Sequence, residues 1–145
     1  MSITLDQAGI IVDTALKKGR ALNLGPLTVA VLDAGGHLVA LKREDRSGIL
    51  RPDIAIGKAW GALGMGFGTR EIAERAKAMP IFYSALTPLS QGRLVPVPGG
   101  VLIRDRQGDV IGAVGITGDT SDNDEACAVA GIEAAGLSAQ VGAKT

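Results

Sequence analysis

Two apolar runs surround a turn in the segment LTVAVLDAGGHLVALK, residues 27–42. The first run, Leu27 to Leu32, is rich in β-branched and aliphatic residues, and the second, His37 to Lys42, resumes the apolar pattern. The residues between them, Asp33 to Gly36, are turn formers, because Asp and Gly tolerate tight backbone conformations. The segment therefore predicts a β-hairpin.

A second hairpin is predicted 72 residues further along the chain. Val101 to Arg104 and Asp109 to Thr117 are apolar runs on either side of the turn DRQG, residues 105–108. Asp33 and Gly36 of the first turn match Asp105 and Gly108 of the second. Chance and shared turn chemistry are an alternative explanation for the match. Two copies are too few for a solenoid, so the pattern favours two hairpins of one antiparallel sheet.

Four helices are predicted around this sheet. Helices before, between and after the hairpins would cover it, which gives an α+β domain. Thr4 and Gln7 form a capping box for the first helix, and Thr69 is the expected cap of the third. The predicted spans are Thr4 to Leu22, Pro52 to about Gly66, Thr69 to Ala78 and about Asp122 to Ala139.

A proline-rich segment separates the third helix from the second hairpin. Residues 80–100 contain four of the six prolines, at positions 80, 88, 96 and 98, with no sustained hydrophobic period. We therefore expect a long loop there. Loops of this length in a small domain are usually functional or only partly ordered.

Length, charge and composition exclude several classes of protein. The 145 residues, 14.8 kDa, fit one domain, residues 1–145. Fifteen Lys and Arg balance fifteen Asp and Glu, so we expect no nucleic-acid partner. No apolar run reaches the length of a membrane span, so we expect no membrane partner. The single Cys127 and an N-terminus without a secretory signal lead us to expect the reducing cytoplasm.

Lys58 is the first candidate for chemistry. On a helix from Pro52, its neighbours one turn away, Ile54 and Ala62, are apolar or small. A lysine held there is desolvated, which lowers its pKa and suits it to act as a base, a Schiff-base amine or an anion anchor. The alternative is a lysine whose stem lies along the core while its ammonium extends to water.

An acidic cluster stands at the start of the last predicted helix. Asp122, Asp124 and Glu125 suit the positive end of the helix dipole, and Asp122 with Glu125 fits a capping pattern. The functional alternative makes Asp124 or Glu125 a general base or a cation ligand. The cluster has no histidine and no further acidic residues at calcium-loop spacing, so we predict no metal site.

His37 is the only histidine, and it stands at the mouth of the first hairpin. A solvated polar residue is the simpler interpretation. The alternative is a haem-iron ligand or a switch near neutral pH. Weaker candidates for an axial ligand, each with a core interpretation that we favour, are Met65, Met79, Tyr83 and Cys127.

Three glycines, Gly112, Gly115 and Gly118, are spaced as in a phosphate-binding loop. Such a loop needs its glycines between a strand and a helix, whereas these lie in an apolar β run. They therefore predict a close backbone approach by a helix or a ligand.

Four segments together resemble the GlcG/HbpS-like family, which also supplies the C-terminal domain of PduO-type corrinoid adenosyltransferases. The resemblance implies a single α+β domain with a mainly antiparallel five-stranded sheet flanked by helices, in a profilin-like layering. It also implies dimers or higher homo-oligomers, and haem as the cofactor that several members bind. The segments are VLDAGGHLVALKRED at 31–45, AIGKAWGALGMG at 55–66, VPVPGGVLI at 95–103 and GAVGITGDTSDNDEA at 112–126.

Different classes of function remain open. The first is an oligomeric protein that binds a small anionic organic ligand, with haem as the precedent, through His37, Lys58, Pro98, Gly99, Gly100 and Gly118. The second is a catabolic enzyme, an isomerase, hydratase or hydrolase of a small carboxylated or carbonyl compound, with Lys58, Asp124 and Glu125 as catalytic residues. The third is an accessory subunit that stabilises a larger enzyme.

The last predicted helix supports an oligomer independently of the resemblance. Cys127 to Ala139 is apolar or small on almost every side, and a helix of this kind is expected to be buried. We expect an interface with a neighbouring chain to bury it.

Overall fold

A five-stranded antiparallel sheet is the framework of the chain in the computed structural model, which describes residues 1–143. The strand order is β2-β1-β4-β3-β5, and every neighbouring pair is antiparallel. This single α+β domain confirms the predicted fold class. In chain order the elements are α1 (Leu5–Ala21), β1 (Thr28–Asp33), β2 (Leu38–Arg43), α2 (Arg51–Met65), α3 (Thr69–Ala78), α4 (Pro80–Leu89), β3 (Gly100–Arg104), β4 (Val110–Thr117), α5 (Ser121–Ala134) and β5 (Ser138–Gln140).

The two hairpins lie side by side and share one turn chemistry. In the first turn, the Asp33 side chain accepts hydrogen bonds from the backbone N–H groups of Gly35 and His37. In the second, the Asp105 side chain accepts the same two bonds from Gln107 and Asp109. The match over 72 residues is therefore a structural repeat, and both hairpins belong to one sheet as predicted.

Helices cover both faces of the sheet. Alternate residues of β1 point to opposite faces, as the pleat requires. Val29 and Val31 lie in the larger core with α1 and α5. Leu32 packs on the other face in a smaller cluster, together with Ala59 and Ala62 of α2. Within residues 1–143, no helix has both the length and the apolar character needed to cross a bilayer.

The prediction of a loop over residues 80–100 was wrong in its first half. Residues 80–89 form helix α4, which begins with Pro80 at a first-turn position. Proline is tolerated there because the first N–H groups of a helix have no intrahelical partner. Pro88 lies in the last turn, so only the segment after Leu89 is irregular.

Two predicted boundaries also differ from the structure. The last helix ends at Ala134 rather than Ala139, because Gly136 adopts a left-handed backbone, φ +75°, and the chain then forms β5 against β3. Thr69 does not cap α3. It is the first helical residue, and its hydroxyl oxygen accepts a hydrogen bond from the backbone N–H of Gly100 rather than from an N–H of the helix.

Helix α5 is buried, but its neighbour on the inner face is α1 of the same chain. A Cβ added at Gly131 would lie 2.6 Å from the carbonyl oxygen of Ile11, so the two helices touch backbone to backbone. Cys127 and Ile132 on that face are inaccessible to solvent. Helix α1 therefore buries the inner face of α5 within one chain, and burial of the outer face by a neighbouring chain stays a prediction.

Helix α2 approaches the sheet at two glycines, of which Gly115 belongs to the predicted set. Of the other two in that set, Gly112 faces the carbonyl oxygen of Leu32 and Gly118 that of Pro26, so neither contacts a helix. A Cβ added at Gly115 of β4 would lie 1.8 Å from the carbonyl oxygen of Ala55, and one added at Gly100 of β3 would lie 2.3 Å from that of Lys58. Any larger residue at either position would force α2 away from the sheet.

Replacing Gly115 with alanine should therefore lower the free energy of unfolding. We expect a loss of about 1–3 kcal/mol, the range for overpacked cores, measured by urea denaturation. The matched control is Gly9→Ala in α1, where an added Cβ meets nothing within 4 Å. That change should raise stability by roughly 0.5–1 kcal/mol, because alanine favours the helix. Equal effects of the two variants would contradict the close approach of α2.

Candidate functional site

Lys58 belongs to α2, and its side chain lies in the interior against β4 and the start of α5. Its side chain is almost inaccessible to solvent, as is that of Asp124. The Lys58 Nζ donates a hydrogen bond to the carbonyl oxygen of Ile116 at 2.8 Å and another to Asp124 Oδ2 at 3.4 Å. The ammonium is therefore held by a strand carbonyl and a buried carboxylate.

The glycine turn before β3 wraps this ammonium. A Cβ added at Gly99 would lie 2.8 Å from Lys58 Nζ, and the residue has a left-handed backbone, φ +122°. Gly100 follows in the strand, where its N–H donates to the Thr69 hydroxyl at 2.8 Å. Pro98, half-buried, precedes them. The structure thus brings Gly99 and Gly100 against Lys58.

Asp124 connects the pair to the loop after β4. Its Oδ1 accepts a hydrogen bond from the Asp119 backbone N–H at 3.0 Å. Gly118 stands before that residue with φ +138°, in a space where a Cβ would lie 2.1 Å from the carbonyl oxygen of Pro26. Asp119 in turn accepts from the Gly25 N–H at 2.9 Å. Gly118 therefore belongs to the same network as Asp124.

Burial shifts the two charged groups in opposite directions. Desolvation lowers the pKa of Lys58, and the nearby Asp124 carboxylate opposes that change. Desolvation raises the pKa of Asp124, and the Lys58 ammonium opposes it. Burial thus disfavours the charged form of each group, and the opposite charge of the other group favours it.

Glu125 has a different partner. It forms a two-pronged ion pair with Arg70 of α3, with Nε to Oε2 at 2.9 Å and Nη2 to Oε1 at 3.0 Å. Asp122 also bonds to Arg70, and both carboxylates raise the pKa of that guanidinium. The N-cap of α5 is Thr120, whose side chain accepts from the Asn123 N–H, so the predicted cap from Asp122 was wrong.

His37 lies apart from Lys58, in the first hairpin turn. Its side chain is exposed, and Nδ1 lies 3.2 Å from Asp33 Oδ1. The adjacent turn residues 34–36 line a shallow cavity of about 170 Å³ with Trp60, Leu63 and Gly64 of α2. His37 is thus next to a cavity wall, while the Lys58 network is inside the core.

An apolar cleft between α2 and α4 was not predicted. It has a volume of about 240 Å³ and is lined by Trp60, Gly61, Gly64, Met65, Leu86, Leu89, Ser90 and Leu94. The guanidinium of Arg93 stacks 3.9 Å from the centroid of the Trp60 ring. The available signal was the single tryptophan, placed beside glycines in α2.

A larger, open depression of about 690 Å³ lies elsewhere, near the end of β2. Its walls are mostly charged, but two of the cations are already paired. Arg20 contacts Glu44 at 3.1 Å, and Lys42 contacts Asp13 at 2.8 Å. Its size therefore does not make it the better candidate, because ligand sites are mostly apolar with a few polar groups.

Comparison with known proteins gives one family. The model of the family described as haem degrading protein HbpS-like matches residues 3–133. A 15.0 kDa protein encoded in the dhaT–dhaS intergenic region of Citrobacter freundii is 32% identical over 123 residues, 85% of this chain and 84% of that protein. The corrinoid adenosyltransferase PduO of the same organism is 25% identical over 86% of this chain, which spans only 36% of that enzyme.

Solved structures show the same fold. Protein ORFY of Klebsiella pneumoniae superposes with a TM-score of 0.83 at 30% identity, over 92% of this chain and 90% of that one. PduOC, solved as a haem complex, superposes with a TM-score of 0.85 at 24% identity, over 99% of this chain and 100% of that one.

The Lys58–Asp124 pair makes a prediction for stability. Asp124→Asn keeps an acceptor for the Asp119 N–H but leaves the Lys58 charge buried without its counter-ion. We expect a loss of about 3–5 kcal/mol near neutral pH, measured by urea denaturation. The control Glu125→Gln weakens a pair whose Arg70 side chain is 42% exposed and keeps Asp122 as a second partner, so it should cost less than Asp124→Asn.

The loss in Asp124→Asn should depend on pH. A lysine whose folded-state pKa is lowered binds fewer protons in the folded than in the unfolded chain, so stability rises with pH up to the unfolded pKa. Removing the carboxylate removes the interaction that opposes this lowering of the Lys58 pKa. The deficit relative to the unsubstituted chain should therefore shrink from neutral pH towards pH 10.5, the ordinary lysine value. A constant deficit would mean that Lys58 is not the group responsible.

Proposed function

Because this chain belongs to the HbpS-like family, we propose that it binds a small organic ligand with a flat apolar body and an acidic group, of which haem is the precedent. The observation that carries the proposal is the apolar cleft between α2 and α4. It combines an indole, a thioether and three leucines with one guanidinium at Trp60. Apolar walls with few polar groups are typical of ligand sites.

The side chains of the cleft fit a tetrapyrrole in chemistry. Trp60, Leu86 and Leu94 offer apolar surface to a flat macrocycle. Arg93 offers a cation for a propionate. Bound haem would supply an iron atom that takes axial ligands. Met65 in the cleft and His37 in the neighbouring turn are the side chains that we propose for that role.

One chain offers only part of the required volume. The cleft holds about 240 Å³, whereas sites for drug-sized ligands span roughly 300–1,000 Å³. We therefore propose a homo-oligomer in which a second copy supplies more of the wall. We also propose the reducing cytoplasm as the compartment, because the chain has a single cysteine, Cys127.

The Lys58 network has a positioning role in this proposal. Lys58 and Trp60 are two residues apart on α2, so they point to different sides of that helix. The pair with Asp124 and the contacts at Gly99, Gly100 and Gly118 hold α2 against the sheet, and Trp60 is thereby fixed beside the cleft. Direct contact of Lys58 with a ligand carboxylate would require its ammonium to leave Ile116 and Asp124.

Haemin titration tests the proposal. Trp60 is the only tryptophan, so its fluorescence reports on the cleft directly. We expect a shifted Soret band at fixed stoichiometry together with quenching of Trp60. Arg93→Gln should weaken the affinity about tenfold, which corresponds to ~1.4 kcal/mol. Arg106→Gln, on the exposed second hairpin turn, is the matched control and should leave it unchanged.

Axial ligation is measured in the same titration. Met65→Ala and His37→Ala separate the two candidate ligands by the spectrum of the bound iron, and metal-free protoporphyrin IX separates binding of the macrocycle from ligation. A haemin spectrum identical to that of free haemin, with Trp60 unquenched, would refute the proposed ligand class.

The second candidate function, a catabolic enzyme, rests on the opposed pKa shifts of Lys58 and Asp124. Perturbed pairs of this kind are concentrated at catalytic sites, and they also occur as structural ion pairs. In this alternative Lys58 removes a proton next to a carbonyl group, Asp124 assists it, and Glu125 holds the start of α5 through Arg70.

Proton exchange tests that alternative without knowledge of the substrate. Pyruvate and glyceraldehyde are incubated with the protein in D₂O, and loss of the C–H signal next to the carbonyl is followed by NMR. The enzyme reading predicts exchange that Lys58→Met and Asp124→Asn abolish and that Lys42→Met, an exposed lysine, leaves intact. Exchange that persists in folded Lys58→Met, checked by circular dichroism, would remove Lys58 from the chemistry.

A further inference from the structure

Helix α4 presents an uncharged apolar surface to solvent. Its sequence, PIFYSALTPL, contains no ionisable group except Tyr83, the one residue of the helix that is buried. Ile81, Ala85 and Leu89 are four residues apart and so form one row along the helix. We define the α4 face as this row with the adjoining side chains of Phe82 and Pro88.

The exposure of this face is unusual for large apolar side chains. Ile81 is 87% exposed, Leu89 78% and Phe82 51%. Met79, at the start of the helix, is also exposed. Isolated exposed apolar residues need no explanation, but a contiguous patch of this kind marks an interaction surface.

The area and charge of the face fit a second copy of the same chain. Ile81, Phe82 and Leu89 of the α4 face, together with Met79 beside it, offer roughly 500 Å² of apolar surface. Each partner of a standard interface contributes ~800 Å², about 65% of it apolar in homodimers. In a two-fold dimer the same patch meets itself, so a charge within an otherwise uncharged patch would be buried without a counter-ion. The α4 face has none.

We propose that the α4 face is the self-association surface of this protein, and that two copies meet through it about a two-fold axis. Leu89 belongs to the face and also lines the cleft beside Trp60. A second copy on α4 therefore lies at the edge of the cleft and enlarges its apolar wall. This last step rests on the proposed ligand-binding function, whereas the self-association surface does not.

Sedimentation equilibrium over a roughly hundredfold concentration range tests the surface, because self-association depends on protomer concentration. The unsubstituted chain should be a dimer or a multiple of it. Ile81→Glu and Leu89→Glu should each give monomers, since each places an unpaired carboxylate in the apolar interface of both copies. The matched control is Leu5→Glu on α1, where the leucine is 67% exposed, and it should leave the mass unchanged. A monomeric unsubstituted chain, or an Ile81→Glu variant of unchanged mass, would overturn the proposal.

Haemin binding by the same variants separates the surface from the function. Ile81 does not line the cleft, so a tenfold weaker affinity in Ile81→Glu, with Leu5→Glu unaffected, supports a contribution of the second copy to the site. Unchanged affinity in a monomeric Ile81→Glu overturns that contribution and leaves the ligand-binding function standing. Dimers that dissociate in Ile81→Glu but never bind haemin uphold the surface and refute the proposed ligand.

Discussion

Helix α2 touches the sheet backbone to backbone at Gly100 and Gly115, and this close approach brings Lys58 to its buried partners. At this separation the Lys58 ammonium can bond to a carbonyl of β4 and to Asp124 of α5 at once. Removing both charges from water costs several kcal/mol per ion, which only such complete pairing offsets. The close approach and the ion pair therefore depend on each other. Together they fix three elements that are distant in sequence, and they orient the outer side of α2, which carries Trp60.

The parts of the fold that local chemistry determines could be predicted from the sequence. Asp33 and Asp105 form their turns by accepting N–H groups two and four residues ahead, so each hairpin is specified within a dozen residues. The helix at Pro80 was missed because its prolines indicated a loop, although proline at a first-turn position is compatible with a helix. Strand β5 is only three residues long, and its pairing with β3 rather than its own composition makes it a strand.

The candidate site could be predicted only in part, because its residues are distant in sequence and meet only in the folded chain. The apolar neighbours of Lys58 on α2 indicated a desolvated lysine, but left open the alternative that its ammonium extends to water. They could not identify Asp124 as its partner, because the two residues are 66 positions apart and meet only when the sheet forms. The Arg93 stack on Trp60 and the cleft beside it are equally non-local. Glycines such as Gly115 could be recognised from the sequence as points of close backbone approach. An added Cβ there would overlap the backbone of α2, whether or not a ligand is bound.

Folded proteins usually bury apolar side chains and expose charged ones, and α2 and α4 show the opposite arrangement. A charged pair lies inside, and the uncharged α4 face lies outside. Two such faces meeting would remove roughly 1,000 Å² of apolar surface from water, which is about the smallest area that specific interfaces bury. Because the cleft lies between these helices, whatever covers α4 also changes the depth of the site beside Trp60. Leu89 is exposed on the α4 face and also lines the cleft, so the proposed assembly and the proposed ligand site share this side chain.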